Sequence, residues 1–313
     1  MKIKKLCLLL LLVNCQPLLT ISLVYNMKIR RVFNVGAILG KSQKTRILAT
    51  AVPIFYKRDR EFVDPVRAIN FTEKRSILGS LFNLRVTSPK SAWWGEITAG
   101  VENEHFKTHG SQNLSGSRTG GDDIVFSAGH NWFPNKKTQV VFYGIGGFPT
   151  NFKVDQTDIN DPLVGTRFFS AGFGSELSYD FIASLRQSCI IIFQNRFLHF
   201  FDRSWPFPLV GSRVQPGNVI DVLLSLQYRI KRTLFEGGYG GTYFTNQAAI
   251  LPNQKINAPA YVRNSGYITF THLIKHCPGF KIPLLIGAGF SGGTANLFKT
   301  RIISGWVTLS TIF

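Results

Sequence analysis

The end of the chain alternates strictly between two kinds of side chain. Successive residues of a β-strand point to opposite faces, so alternate positions share one face. One face of a strand over 297–313 carries Phe313, Thr311, Leu309, Val307, Gly305 and Ile303. The other face carries Ser310, Thr308 and Ser304. The pattern predicts a final strand with one mainly apolar face and one small polar face.

The same alternation divides the chain from residue 47 onward into segments of strand length. In the sixth segment, Phe173 and Leu177 face one way, while Glu176 and Asp180 face the other. We predict twelve strands: 47–57, 75–86, 91–105, 122–133, 137–147, 167–182, 188–201, 217–230, 233–245, 263–275, 279–290 and 297–313.

The connections between these segments alternate in length. The short ones are 87–90, 134–136, 183–187, 231–232 and 276–278. Between them lie 58–74, 106–121, 148–166, 202–216 and 246–262, with a shorter connection at 291–296. Short turns at one end and long loops at the other are typical of barrels that span a membrane.

Composition supports the same fold class. Aromatic residues make up 13% of the chain and charged residues 17%, and there are 29 glycines. A mean hydropathy of +0.07 is low for a bundle of membrane helices, which need about 20 apolar residues each. We therefore predict an all-β protein, a transmembrane antiparallel up-and-down β-barrel of about 12 strands (range about 12–14) that follows an N-terminal signal peptide.

The N-terminus has the pattern of a secretory signal. Lys2, Lys4 and Lys5 precede an apolar run from Leu6 to Val13. We predict a signal peptide over residues 1–26, a periplasmic lead-in or pore-tucked segment over 27–46, and the barrel over 47–313. An uncleaved anchor and lipidation at Cys15 remain alternatives.

The final strand resembles the closing strand of bacterial outer-membrane barrels, which ends in an aromatic residue. The resemblance implies an outer-membrane location, contact with outer-membrane lipid, and recognition by the barrel-assembly machinery. The membrane-assembly signal would then comprise Phe313, Thr311, Leu309 and Val307.

A second resemblance covers about thirty residues in the first half of the chain. Its parts are Thr119 to Ile124, the turn Pro134 to Lys137, and Gly146 to Thr150. Together they resemble an element of the outer-membrane uptake barrels for fatty acids and aromatic hydrocarbons, including the meta-pathway phenol degradation type. This resemblance favours transport but transfers no binding residue.

Polar side chains on the inward parity are candidates for lining the lumen. They are Glu96, Glu176, Asp180, Asp221, Gln227, Arg229 and Glu236. Asp180 and Arg229 precede short turns, so we expect both near the periplasmic end. The resulting prediction is an outer-membrane channel or uptake pore that passes small solutes passively through the barrel.

The positive net charge of the chain suggests an alternative function. The net charge is +19, or about +16 if three lysines leave with residues 1–26. Lysine and arginine attract the phosphates of lipopolysaccharide. A non-conducting barrel whose outer loops bind a partner or lipopolysaccharide is therefore the second hypothesis. A signal peptide argues against nucleic acid as the partner, and basic pairs such as Lys57-Arg58 are expected in loops.

Catalysis and metal binding have weaker support. His130 has Ser127 nearby, but a spacing of three places the two on opposite faces of a strand. His105 and His109, with Glu102 and Glu104, are expected on a solvated rim. We predict no enzyme activity, no metal and no cofactor, with a lipid-modifying enzyme as the least favoured alternative. Cys189 and Cys277 are expected to be free thiols, since they lie four strands apart.

Overall fold

A computed structural model describes residues 45–64, 69–89, 92–110, 115–150, 168–182, 184, 187–205, 212–251, 254–274, 283–296 and 300–313. The predicted signal peptide and nearly all of the predicted lead-in lie outside these residues, as does Cys277. Within them, no helix is long and apolar enough to span a membrane.

The described residues form seventeen strands. They are β1 Arg46–Asp64, β2 Ile69–Thr87, β3 Trp93–Gly110, β4 Ser115–Gly121, β5 Ile124–Trp132, β6 Thr138–Phe148, β7 Ser170–Asp180, β8 Gln187–Phe200, β9 Arg203–Trp205, β10 Ser212–Gln215, β11 Asn218–Ile230, β12 Thr233–Phe244, β13 Gln247–Leu251, β14 Gln254–Ala258, β15 Tyr261–Ile274, β16 Leu284–Ala295 and β17 Thr300–Ile312.

Thirteen of the described strands make one closed antiparallel wall. Each wall strand pairs with its neighbours along the chain, and β17 returns to pair with β1, from Leu48 opposite Ile312 to Asp59 opposite Arg301. Both β4 and β5 pair with β3, at different heights, so they share one position in the wall. The wall therefore has the twelve positions predicted from the sequence. Below, the end with the short turns is the turn end and the opposite end is the outer end.

Two predicted loops proved to be wall. β1 and β2 pair as far as Asp64 opposite Ile69, and β3 continues to Gly110, so 58–74 and 106–121 are largely strand. Lys57 and Arg58 consequently lie on β1 and not in a loop. These hairpins rise beyond the apolar band, where no lipid requires an apolar outer face. The sequence pattern there becomes charged on both faces, which is why it was interpreted as loop.

Two other predicted loops form a separate sheet. β9 and β10, between β8 and β11, pair with β13 and β14, between β12 and β15, in the order β14-β13-β10-β9. The predicted loops 202–216 and 246–262 thus contain strands and project as an outer sheet. The eleventh wall strand also differs from its predicted bounds, because β16 begins directly after Pro283 and continues to Ala295.

The outward face of the wall is a continuous apolar band. On β7 and β11 the exposed side chains have the predicted parity, with Phe173 64% exposed and Leu224 52% exposed. Exposed aromatic residues lie near both ends of the wall, including Trp93 and Trp132 at the turn end and Phe148 and Phe169 at the outer end. An apolar band bordered by aromatic residues is the lipid-facing surface of an outer-membrane barrel. The predicted bacterial outer-membrane location is confirmed.

The inward face mixes polar and aromatic side chains, and the large rings lie over glycines. A Cβ placed on Gly129 would lie 2.6 Å from the indole of Trp94, and one on Gly238 would lie 2.5 Å from the ring of Tyr267. Trp306 and Tyr143 cover Gly289 and Gly174 in the same way. Because a glycine leaves room beside the wall, each ring packs against the neighbouring strand.

The last residue takes part in closing the barrel. The backbone N–H of Phe313 donates to the carbonyl of Ile47 at 2.9 Å, and the N–H of Ile47 donates to the carbonyl of Phe313 at 3.2 Å. The Phe313 ring itself is 62% exposed on the lipid side.

Phe313→Asp is expected to reduce the yield of assembled barrel in the membrane severalfold, because it places a carboxylate at the lipid boundary of the closing strand. The measurement is the amount of folded, fast-migrating band in unheated samples of outer membrane. Lys136→Asp, in an exposed turn, is the control, and an equal yield for both variants would show that the terminal ring has no part in assembly.

Candidate functional site

The barrel interior holds most of the residues predicted to line a lumen, and several are joined in hydrogen-bonded groups. Asp221 on β11 is 2% exposed and accepts hydrogen bonds from Arg196 Nε at 2.9 Å and from the Thr242 hydroxyl at 2.6 Å. Arg196 also contacts Asp221 through Nη2 at 2.5 Å. The pairing of β8, β11 and β12 places these three residues side by side, so the carboxylate is neutralised where it lies.

A second group lies closer to the turn end. Gln227 and Glu236 are opposite each other on β11 and β12, and Gln227 Nε2 donates to Glu236 Oε2 at 2.7 Å. The hydroxyl of Tyr267, on β15, donates to the other carboxylate oxygen of Glu236. Gln227 and Glu236 are both buried.

Glu96 belongs to a third group on the opposite side of the wall. The Ser127 hydroxyl donates to Glu96 Oε1 at 3.0 Å, and Arg85 Nη1 lies 3.7 Å from Glu96 Oε2. The Arg85 guanidinium also lies over the Trp94 ring, 4.4 Å from its centroid. A cation stacked on an aromatic ring and paired with a carboxylate is held in one orientation.

The remaining predicted lining residues have mixed surroundings. Glu176 on β7 is buried opposite Gln194 of β8. Arg229 donates from Nε to the Ser188 hydroxyl at 3.1 Å and from Nη2 to the Ser184 carbonyl at 3.2 Å, which places it at the turn end. Asp180, the last residue of β7, lies at the same end and is partly exposed.

An ion-pair network at the outer end was not predicted. Arg58 on β1, Glu73 and Arg75 on β2, and Glu104 on β3 are all buried. Arg58 pairs with Glu73, Arg75 pairs with Glu104, and Arg75 Nε lies 3.3 Å from Glu73 Oε1. The four charges balance and join three neighbouring strands. The alternation of inward and outward positions continues from Tyr56 to Arg58, and this was the one feature of the sequence that placed Arg58 on the inward face.

Acidic residues gather where the wall changes from β4 to β5. Glu102, Asp122 and Asp123 are buried there, and Asp122 accepts a hydrogen bond from the backbone N–H of Asp123 at 2.8 Å. Burial, and secondarily the charge of Asp123, raise the pKa of Asp122 to about 8. Asp122 lies in the gap between β4 and β5, two residues before Ile124, where the apolar outward positions of β5 begin.

This raised pKa predicts a pH-dependent stability. An aspartate in the unfolded chain has a pKa of about 3.9. Between that pH and about 8, the folded barrel therefore retains a proton on Asp122 that the unfolded chain has lost. Stability therefore falls as pH rises through this window. Asp122→Asn is expected to flatten the fall, measured as the denaturation midpoint at pH 5 and pH 9. The control is Asp59→Asn, since Asp59 is partly exposed on the outward face, and this variant should lose stability with rising pH as the wild type does. If Asp122→Asn shows that same loss, Asp122 is ionised in the folded barrel.

The residues considered above for catalysis and metal binding lie on opposite faces of the wall. The Ser127 hydroxyl is buried with Glu96, while His130 packs edge-on against the outward Trp93, with 4.4 Å between ring centroids. His105 and His109 are exposed outward, but Glu102 and Glu104 are buried inward, so the predicted solvated rim is wrong for the two glutamates. Among the residues that the structure describes, no group of three or more histidine, cysteine, aspartate or glutamate side chains has the geometry of a metal site. Cys189 is a buried free thiol.

Comparison with known proteins shows the fold. No protein-family model matches the sequence, and no curated protein matches it. Among solved structures, the COG4313 outer membrane channel from Pseudomonas putida F1 superposes with a TM-score of 0.63 at 10% identity, covering 86% of this chain and 96% of that one. The chain is therefore similar in fold to an outer-membrane barrel, and the resemblance predicted from the final strand is confirmed.

Two further barrels superpose less closely. The transport unit of the autotransporter AIDA-I from Escherichia coli gives a TM-score of 0.46 at 10% identity, with 93% of this chain and 97% of that one covered. The TodX monoaromatic hydrocarbon channel, as a deletion mutant, gives 0.42 at 8% identity, with 88% and 93% covered. At this distance neither structure bears on function.

Proposed function

We propose that the protein is a passive outer-membrane channel for small solutes. The observation that carries this proposal is the chemistry of the inward face: charged and amide side chains are held in hydrogen-bonded groups against a closed wall whose outside faces lipid. A polar interior inside an apolar exterior suits the passage of solutes that lipid excludes.

The dense packing of the interior also favours small solutes over large ones. Side chains such as Gln194, Leu198 and Asp221 are almost fully buried although they point into the barrel. A wide water-filled pore would leave such groups exposed. A solute would therefore pass in contact with side chains, and the lining residues would set the preference between ions.

The test is conductance of the purified full-length protein in a planar bilayer. Asp180→Asn combined with Asp221→Asn should shift the reversal potential under a salt gradient towards anions, because Arg196 is then left without its carboxylate. Arg229→Gln should shift it towards cations. Asp59→Asn, on the outward face, is the matched control. An unchanged reversal potential in folded, conducting variants would contradict the lining role.

Binding at the outer surface is the second candidate, and two features favour it. The outer sheet of β9, β10, β13 and β14 presents a surface beyond the wall. On the outward face above the lipid band, Lys74 lies directly opposite Lys107, and Lys57 and Arg301 lie on neighbouring strands. Asp59 lies among these bases, opposite Lys74 and Arg301, so the group keeps an excess of positive charge that attracts phosphate. Absence of conductance, together with binding of lipopolysaccharide that Lys74→Gln and Lys107→Gln abolish, would favour this candidate over the channel.

A further inference from the structure

One buried arginine inside the barrel has no carboxylate partner among the residues that the structure describes. Arg263 lies near the outer end of β15, on the inward face, and is 4% exposed. Its Nε and Nη1 atoms have no hydrogen-bond partner in the described part of the chain. Of the four arginines buried in the described part of the chain, Arg58, Arg75 and Arg196 each pair with a carboxylate. A buried guanidinium without a partner is costly, and an anion that occupied the site would offset that cost.

The described neighbours of Arg263 do not supply this anion. Thr242 lies directly opposite Arg263 on β12, but its hydroxyl is engaged with Asp221. The Asp221 carboxylate is in turn paired with Arg196. The charge of Arg263 therefore remains available to a ligand.

Arg263 lacks acceptors rather than donors. A ligand that satisfied it would carry oxygen atoms with free lone pairs.

An aromatic pair lies next to Arg263 on the inward face, within a buried cluster of apolar side chains. Phe244 and Tyr261 are opposite each other on β12 and β15, one inward position beyond Arg263. Their rings stack with 4.3 Å between centroids and 6° between planes, and both are buried. Rings of this kind pack against a flat apolar group.

We propose that Arg263 and the Phe244–Tyr261 pair form a binding site for a small organic acid, with a carboxylate on Arg263 and an aromatic or apolar body against the rings. A guanidinium presents a planar fork that matches the two oxygens of a carboxylate. One unpaired guanidinium suits a monoanion better than a phosphate dianion. The site rests on the proposed channel function, because the barrel interior is the path by which a solute reaches it.

The experiment is calorimetric titration of the detergent-purified full-length protein with sodium benzoate, benzamide and inorganic phosphate. Benzoate should bind, while benzamide, which has the same ring but no charge, should bind about tenfold more weakly or not at all. Arg263→Gln should weaken benzoate binding about tenfold or more, and Arg263→Lys should recover part of the loss because it restores the charge without the fork. Arg301→Gln, the same change on the outward face, should bind like the wild type.

Several results would overturn the site. One is equal affinity for benzoate in the wild type and in folded Arg263→Gln. Another is equal binding of benzoate and benzamide by the wild type, a comparison that does not depend on a variant that folds. Phosphate binding as tight as benzoate would refute the role of the rings. Benzoate binding that requires Arg263 in a protein that conducts no ions would refute the channel and leave the site in place.

Discussion

Glu104→Gln is expected to destabilise the barrel by about 3–5 kcal/mol, the usual cost of removing one partner from a buried ion pair. Glu104 is fully buried and pairs with Arg75, which also contacts Glu73, the partner of Arg58. The variant leaves two buried guanidiniums with one carboxylate. The measurement is the free energy of unfolding from denaturant titration in detergent, followed by the loss of the compact unheated band.

The control for this variant is Glu61→Gln, an exposed carboxylate on the same hairpin, which should change stability by less than about 0.5 kcal/mol. The double variant Arg75→Gln with Glu104→Gln leaves Arg58 and Glu73 as a balanced pair. It should recover a substantial part of the lost stability. If Glu104→Gln costs no more than the exposed control, the network is not formed in the membrane-embedded protein.

Gly129→Val is expected to be the second most damaging change, with a loss of about 1–3 kcal/mol or failure to assemble. A Cβ at this position would lie 2.6 Å from the Trp94 ring and 2.7 Å from the backbone carbonyl of Phe142, which cannot rotate away. Displacing Trp94 also removes the surface on which Arg85 stacks beside Glu96. Denaturant titration measures the first effect, and the reversal potential of any conducting variant reports the second.

Gly144→Val offers a matched control on the adjoining strand. Gly144 is exposed on the lipid side, and a Cβ there would meet nothing within 4 Å. The same substitution should therefore be nearly neutral. Similar losses of stability in the two variants would mean that valine is poorly tolerated throughout this wall. The packing of Trp94 on Gly129 would then not be the cause of the loss in Gly129→Val.

The lipid-facing half of the fold was predictable because its cause is local. Lipid requires an apolar side chain at every second position, so the strands through Phe173 and Leu224 are visible from period alone. The turns were predictable for a similar reason, since a two-residue connection such as Lys231-Arg232 leaves no alternative to antiparallel pairing of its neighbours. The rule weakens above the lipid band, and there the predicted ends of β1, β2 and β3 were wrong.

The sequence by itself determined which side chains point inward in the spanning strands, because parity is a property of one strand. Only the closed wall decided which of them meet, because register and strand order bring together residues far apart in the chain. Glu236 and Tyr267 share a hydrogen bond through the pairing of β12 with β15, and Arg58 meets Glu73 through the height of the first hairpin. The same closure left Arg263 buried without a carboxylate from the described residues, since Asp221, two strands away, is paired with Arg196.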